Sequence, residues 1–187
     1  NMTGLTIMSP ELSAKRLELL REIVPGISRV AALWDPTTGA SQVVLTERAA
    51  KSLDFSLQVL EVKQREDVAR CFRAARDDRA NAINVFSSPF LASLFREIIV
   101  LSAEYRLPAI YQWKEHVEAG GLISFGPSLA ATFRQSATIV VKILKGARPS
   151  DIPVEQPIKF ELAVNAKTAQ ALALAIPAPL LVRADEV

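Results

Sequence analysis

Arg29-Val30-Ala31-Ala32-Leu33-Trp34 is closed in front by Pro25-Gly26 and behind by Asp35-Pro36. A short continuous apolar run between turn residues reads as a strand buried on both faces, as in a parallel sheet. The pattern repeats along the chain. Leu57–Val62 alternates more and reads as an edge or near-edge strand, and Ala82–Phe86, Ala109–Tyr111 and Leu122–Phe125 complete five strands. Helical periodicity fills the gaps. Val43, Val44, Ala50 and Leu53 mark a helix after the first strand. Val68, Cys71, Phe72 and Ala75 mark the next, and Leu91, Leu94, Phe95, Ile98 and Leu101 the one after. Such alternation predicts an α/β fold with a doubly wound, five-stranded parallel sheet, right-handed crossovers and strand order 2-1-3-4-5.

Three segments lie outside this repeat. Ser9–Val24 reads as a helix with Ser9 as N-cap, Pro10 in its first turn and a stripe of Leu12, Leu19, Leu20 and Ile23. Leu129–Lys145 reads as a helix with Leu129, Phe133, Ala137, Val140 and Leu144 on one face, ended by Gly146. Lys159–Asn165 is an alternating strand, followed by a short helix over Lys167–Leu174; the proline-rich Ile176–Pro179 is expected to be irregular.

The chain has 187 residues, with 22 basic and 20 acidic side chains, a balance that argues against nucleic acid or an anionic membrane as partner. The arginines at 70, 73, 76 and 79 alternate with Asp67, Asp77 and Asp78 and read as a solvated helix face. The single cysteine, Cys71, excludes an internal disulfide; on an apolar helix face it reads as a buried small hydrophobe.

In an open α/β sheet, ligands bind beyond the carboxyl ends of the strands. Those ends carry Asp35-Pro36-Thr37-Thr38-Gly39, then Ser87-Ser88-Pro89, then Tyr111-Gln112-Trp113, then Gly126-Pro127-Ser128. Hydroxyls, an amide, one carboxylate and two aromatics suit hydrogen bonding and stacking around a small polar ligand. The expected ligand contacts are Asp35, Thr37, Ser87, Ser88, Tyr111, Trp113 and Pro127. Asp35 suits an ammonium or hydroxyls, and Tyr111 or Trp113 suits a ring. The set does not suit catalysis. The sole histidine, His116, reads as a surface residue without a nucleophile beside it. No metal-ligand spacing and no glycine-rich phosphate motif is present, so neither metal nor cofactor is expected. Thr37-Thr38-Gly39 stands where a flavodoxin holds an FMN phosphate, but Asp35 would set a negative charge beside it.

Several motifs together resemble a known family. They are Asn1–Gly4, Glu11–Leu20, Val24–Val30 running into Leu33–Pro36, Arg106–Tyr111, Glu118–Leu122, Ser124–Pro127, Lys142–Gly146, Pro153–Pro157, Lys159–Leu162 and Leu181–Val187. They are similar to the second lobe of ABC-transporter substrate-binding proteins of a sugar or aromatic amino-acid type. The resemblance implies a type I periplasmic-binding fold, with two lobes, a hinge of crossing strands and ligand in the cleft. It divides the chain into a ligand-binding lobe (1–127), a crossover helix and linker belonging to the partner lobe (128–158), and a returning strand, helix and tail (159–187). It implies a small-molecule ligand, an ABC permease as partner and a periplasmic or extracytoplasmic site, lipid-anchored through a segment outside this chain. With most of the first lobe absent, the Leu129–Leu144 face is expected to associate with a second copy or to swap domains. Two other readings are a ligand-sensing lobe of a regulator or receptor and a flavodoxin-like FMN-binding protein.

Overall fold

The computed structural model describes all 187 residues. Its sheet contains β1 (Arg29–Trp34), β2 (Ser56–Glu61), β3 (Ala82–Val85), β4 (Ala109–Tyr111), β5 (Ile123–Pro127) and β6 (Phe160–Val164). The order is β2-β1-β3-β4-β5-β6. The first five strands are parallel in the expected order, with β2 at the edge. The sheet nevertheless has six strands rather than five. Lys159–Asn165, assigned from sequence to a crossover arm, pairs antiparallel with the free edge of β5, from Ile123↔Val164 to Pro127↔Phe160. Alternation explains why: Leu162 and Val164 face one core while the neighbouring backbone completes the ladder.

Helices cover both faces. On one lie α1 (Ser9–Ile23), α2 (Ser41–Ser52), α8 (Ala166–Ala171) and α9 (Ala178–Arg183). Their core contains Leu17, Leu20, Ile23, Val30, Ile110 and Leu180. On the other lie α3 (Asp67–Asp77), α4 (Pro89–Ser93) and α5 (Phe95–Glu104), packed around Leu33, Phe72, Val85, Ile98 and Tyr111. The period-2 alternation of strand side chains sends Ile110 to the first core and Ala109 and Tyr111 to the second. Cys71 is buried in this second core, and desolvation, the largest influence, raises its thiol to about 11. It is inert packing, as its helical position suggests.

Local departures from the sequence reading have physical causes. Ser9 is the first helical residue of α1 rather than its cap; Met8 takes the cap position with φ 49°. The expected Leu91–Leu101 helix breaks at Leu94 into α4 and α5. The buried stripe of α2 is Gln42, Thr46 and Ala50, whereas Val44 is exposed. The proline-rich tail is irregular only through Pro177: α9 starts at Ala178, Pro179 sits in its first turn, where a missing N–H costs nothing, and Leu180 anchors that helix in the core.

Three stretches cross at the carboxyl edge of the parallel strands. Thr6 donates to the Glu155 carbonyl and Glu155 to that of Gly4, both at 3.0 Å. The Ser128 N–H donates to the Lys159 carbonyl at 2.9 Å. Between the last two crossings runs α7 (Leu129–Leu144), with only Ile139 buried and with Phe133 67% and Leu144 80% exposed. Beside α5 and β5 sits the short α6 (Lys114–Glu118).

Gly126 fixes how closely β5 approaches the end of β4. A Cβ there would lie 2.2 Å from the Gln112 carbonyl oxygen, a backbone atom that cannot swing aside. Gly126→Ala is expected to destabilise the fold by at least about 2 kcal/mol, read as a lower denaturation midpoint with unchanged slope.

Candidate functional site

The loop after β1 is braced from within. Asp35 is 3% exposed, and its Oδ1 accepts hydrogen bonds from the Thr37 N–H (2.9 Å) and Thr37 Oγ1 (2.7 Å). Its Oδ2 accepts from Ser88 Oγ at 2.5 Å. Ser88 Oγ in turn accepts from the N–H groups of Phe90 and Leu91, capping α4. One carboxylate therefore ties the β1 loop to the β3 loop. Burial alone would raise the Asp35 carboxyl, but the hydrogen bonds from Ser88 and Thr37 outweigh it and hold the group below its ordinary range. The amides that an FMN phosphate would need are already used: Thr37 donates to Asp35, Thr38 to the Asp35 carbonyl and Gly39 to that of Pro36.

Ser87 is held by two helices. Gln42 on α2 clamps its backbone, with Nε2 donating to the Ser87 carbonyl at 2.8 Å and Oε1 accepting from the Ser87 N–H at 2.9 Å. Arg16 on α1, fully buried, donates through Nε to the Phe125 carbonyl (2.9 Å) and through Nη1 to Ser87 Oγ (3.4 Å). It makes no ion pair, and its Nη2 has no hydrogen-bond partner. Burial pulls its pKa down to about 9, which leaves it a cation at neutral pH.

Gln112 and Trp113 follow β4. Gln112 is buried with Nε2 unpartnered, and Trp113 is half-buried. Behind them, His116 is buried rather than on the surface. Its ring stacks on Phe95 at 4.9 Å and meets the edge of Tyr111 at 5.5 Å. Desolvation first, and the positive charge of Arg16 second, lower it to about 4, so the imidazole is neutral at pH 7. Its position in an aromatic cage explains why a helical surface pattern misled the sequence reading.

These elements enclose a cavity of about 140 Å³ lined by Ile7, Ser87, Ser88, Ala92, Gln112 and Trp113 among others. Of the expected contacts, Ser87, Ser88 and Trp113 share its wall, while Asp35 and Thr37 brace it through Ser88. Two lie elsewhere. Pro127 is buried in register with Phe160 at the end of β5. Tyr111 turns into the second core, its hydroxyl 3.4 Å from Ser102 Oγ. The sequence reading passed over Arg16, Gln42, Gln112 and Ile7 as site residues. Arg16 had left a signal: it stands four residues after Leu12 and four before Leu20, inside the apolar stripe of α1.

The sequence model of a family described as ABC transporter substrate binding protein matches residues 1–187. Comparison with curated proteins gives no match. Among solved structures, an ABC domain from Streptococcus pneumonia in complex with L-Trp superposes with TM-score 0.90 at 24% identity, covering 100% of this chain and 65% of that one. A conserved domain protein from Vibrio cholerae O1 biovar El Tor gives TM-score 0.89 at 25% identity, over 100% of this chain and 62% of that one. The ligand-free, open structure of a substrate binding protein with adhesive properties from Clostridium difficile gives 0.71 at 21% identity, over 99% and 62%. The chain thus spans less than two thirds of the length of these relatives.

The Asp35 carboxylate gives the site an acid-labile brace. Because its folded pKa lies below the ordinary 3.8, its contribution is present above that value and is lost as pH falls through the lowered one. Asp35→Asn is expected to cost about 1–2 kcal/mol at pH 7. The gap between the two proteins in urea titrations should narrow as pH falls below about 4.

Proposed function

The chain belongs to the ABC transporter substrate-binding protein family, whose members are binding proteins rather than enzymes, and from that premise we propose that its strand-end cavity is one wall of an interlobe cleft that captures a small solute for an importer. The observation that carries this reading is the convergence of Ser87, Ser88, Gln112 and Trp113, from two different strand ends, on one cavity. Hydroxyls and an amide supply directional hydrogen bonds, and a half-buried indole supplies a stacking face.

The electrostatics narrow the ligand. Asp35 has both oxygens engaged within the wall, so it serves as a brace rather than as the seat of an ammonium. Arg16 lies behind Ser87 with no carboxylate to neutralise it, and His116 is neutral. A positive field behind neutral donors favours a ligand that presents a carboxylate or another electron-rich group to Ser87. An aromatic amino acid combines that group with a ring for Trp113, and L-Trp, the ligand of the Streptococcus protein, is therefore a first probe. Delivery to an ABC permease, an extracytoplasmic location and a lipid anchor belong to the same proposal. No helix is long and apolar enough to cross a membrane.

Calorimetry on the full-length protein tests this. Heat of binding is expected from an amino acid, with Trp113→Ala weakening affinity by about tenfold or more while leaving the circular dichroism spectrum intact. Silence towards amino acids, sugars and purines, or unchanged affinity in the variant, would refute the reading.

A further inference from the structure

A larger cavity lies at the other end of the sheet. It has a volume of about 360 Å³ and sits at the amino ends of β4 and β5, between the carboxyl half of α5 and α8. That volume falls within the range of small-molecule pockets. Ile99, Leu107, Leu122 and Leu172 give it an apolar lining. Within it, the hydroxyls of Tyr111 and Ser102 lie 3.4 Å apart, and burial keeps the Tyr111 phenol protonated. Gly121 lets the chain entering β5 pass close to the ring: a Cβ there would stand 2.7 Å from Tyr111 Cε2 and 2.8 Å from the His116 carbonyl oxygen.

The charges of the lining are one-sided. Arg106 and Lys167, brought together from 61 positions apart in sequence, both line the cavity, and no acidic side chain does. Neither cation forms an ion pair with any residue of the chain. Arg106 is positioned by donating through Nη2 to the Ala171 carbonyl on the facing wall at 3.3 Å, which leaves the rest of its guanidinium free. Eleven of the chain's other basic side chains pair with a carboxylate, as in Lys15–Glu18 and Arg70–Asp67, whereas Arg106 and Lys167 stand uncompensated together on one apolar cavity.

We propose that this cavity is a second ligand site, separate from the strand-end cavity, and that it takes a small carboxylate with an apolar body. The body fills the Ile99–Leu122–Leu172 lining, with the Tyr111 and Ser102 hydroxyls at its inner end. The carboxylate lies between Arg106 and Lys167, where charge-assisted hydrogen bonds discriminate acid from neutral analogue.

Amide-resolved NMR on the 187-residue chain tests the assignment, with 3-phenylpropanoate and its neutral counterpart 3-phenylpropanamide as probes. The acid is expected to shift the amides of Ser102, Arg106, Gly121, Lys167 and Thr168 while Ser87, Ser88 and Trp113 stay still. It should bind about tenfold or more tightly than the amide. Lys167→Glu, an exposed change in the first turn of α8, should abolish that preference, as should the milder Lys167→Met. Shifts confined to the strand-end residues, equal affinity for acid and amide, a preference that survives both substitutions, or no shift at about 10 mM would each overturn the proposal. Shifts confined to Ser87, Ser88 and Trp113 would speak for the strand-end cavity instead; the other results leave it untouched, since its own test uses Trp113.

Discussion

A guanidinium sealed inside the protein without a counter-ion is costly to bury, and Arg16 is such a group. Its cost is offset by what it joins. One nitrogen reaches the Phe125 carbonyl on β5 and another reaches Ser87 after β3, so the first helix is bolted across the ends of two strands that are not neighbours. Gln42 completes the arrangement by clamping Ser87 from α2, and Asp35 completes it from the β1 loop through Ser88. The strand-end loops therefore have little freedom of their own. Their side chains are aimed before any ligand arrives, and the ordering entropy is spent in folding rather than in binding.

Most of this architecture can be read from the sequence because parallel strands buried on both faces leave continuous apolar runs. Arg29–Trp34 and Ala109–Tyr111 emerge with their expected boundaries. Edges are harder. Lys159–Asn165 was visible as a strand, but nothing local in it states which edge it joins; that depends on β5 having an unpaired side. The tail reading holds through Pro177 and fails from Ala178 on, because proline argues against regular structure except in a helix's first turn, where Pro179 stands.

The site was legible in its loops and hidden in its supports. Ser87, Ser88 and Trp113 line one cavity as expected, because the loops after neighbouring parallel strands gather at one edge of the sheet. Tyr111 could not be placed by that rule. It is the last residue of β4, and alternation, not proximity to the loop, decides which face its ring takes. Arg16 and Gln42 were missed for the converse reason: a polar residue inside an otherwise apolar helical stripe looks like a lapse in the pattern, whereas here it is the link from helix to site. His116 shows the same effect through aromatic enclosure by Phe95 and Tyr111.

The two ends of the sheet then divide the physics between them. At the carboxyl edge, the polar groups are held by one another and by Arg16, and the stretches Gly4–Thr6, Ser128 and Glu155–Lys159 cross there. A wall braced from three elements does not deform readily. Gly126 adds close packing, because the carbonyl of Gln112 sits where its Cβ would be. The amino edge is built otherwise. There Arg106 and Lys167 flank an apolar cavity whose walls are joined by hydrogen bonds from Arg106 to the Ala171 carbonyl and from Thr168 Oγ1 to the Gly120 carbonyl. Between the two ends the rings of Tyr111 and His116 pack edge to face, so the buried end of the amino-edge cavity rests on the same aromatic cluster that lies behind Gln112 and Trp113.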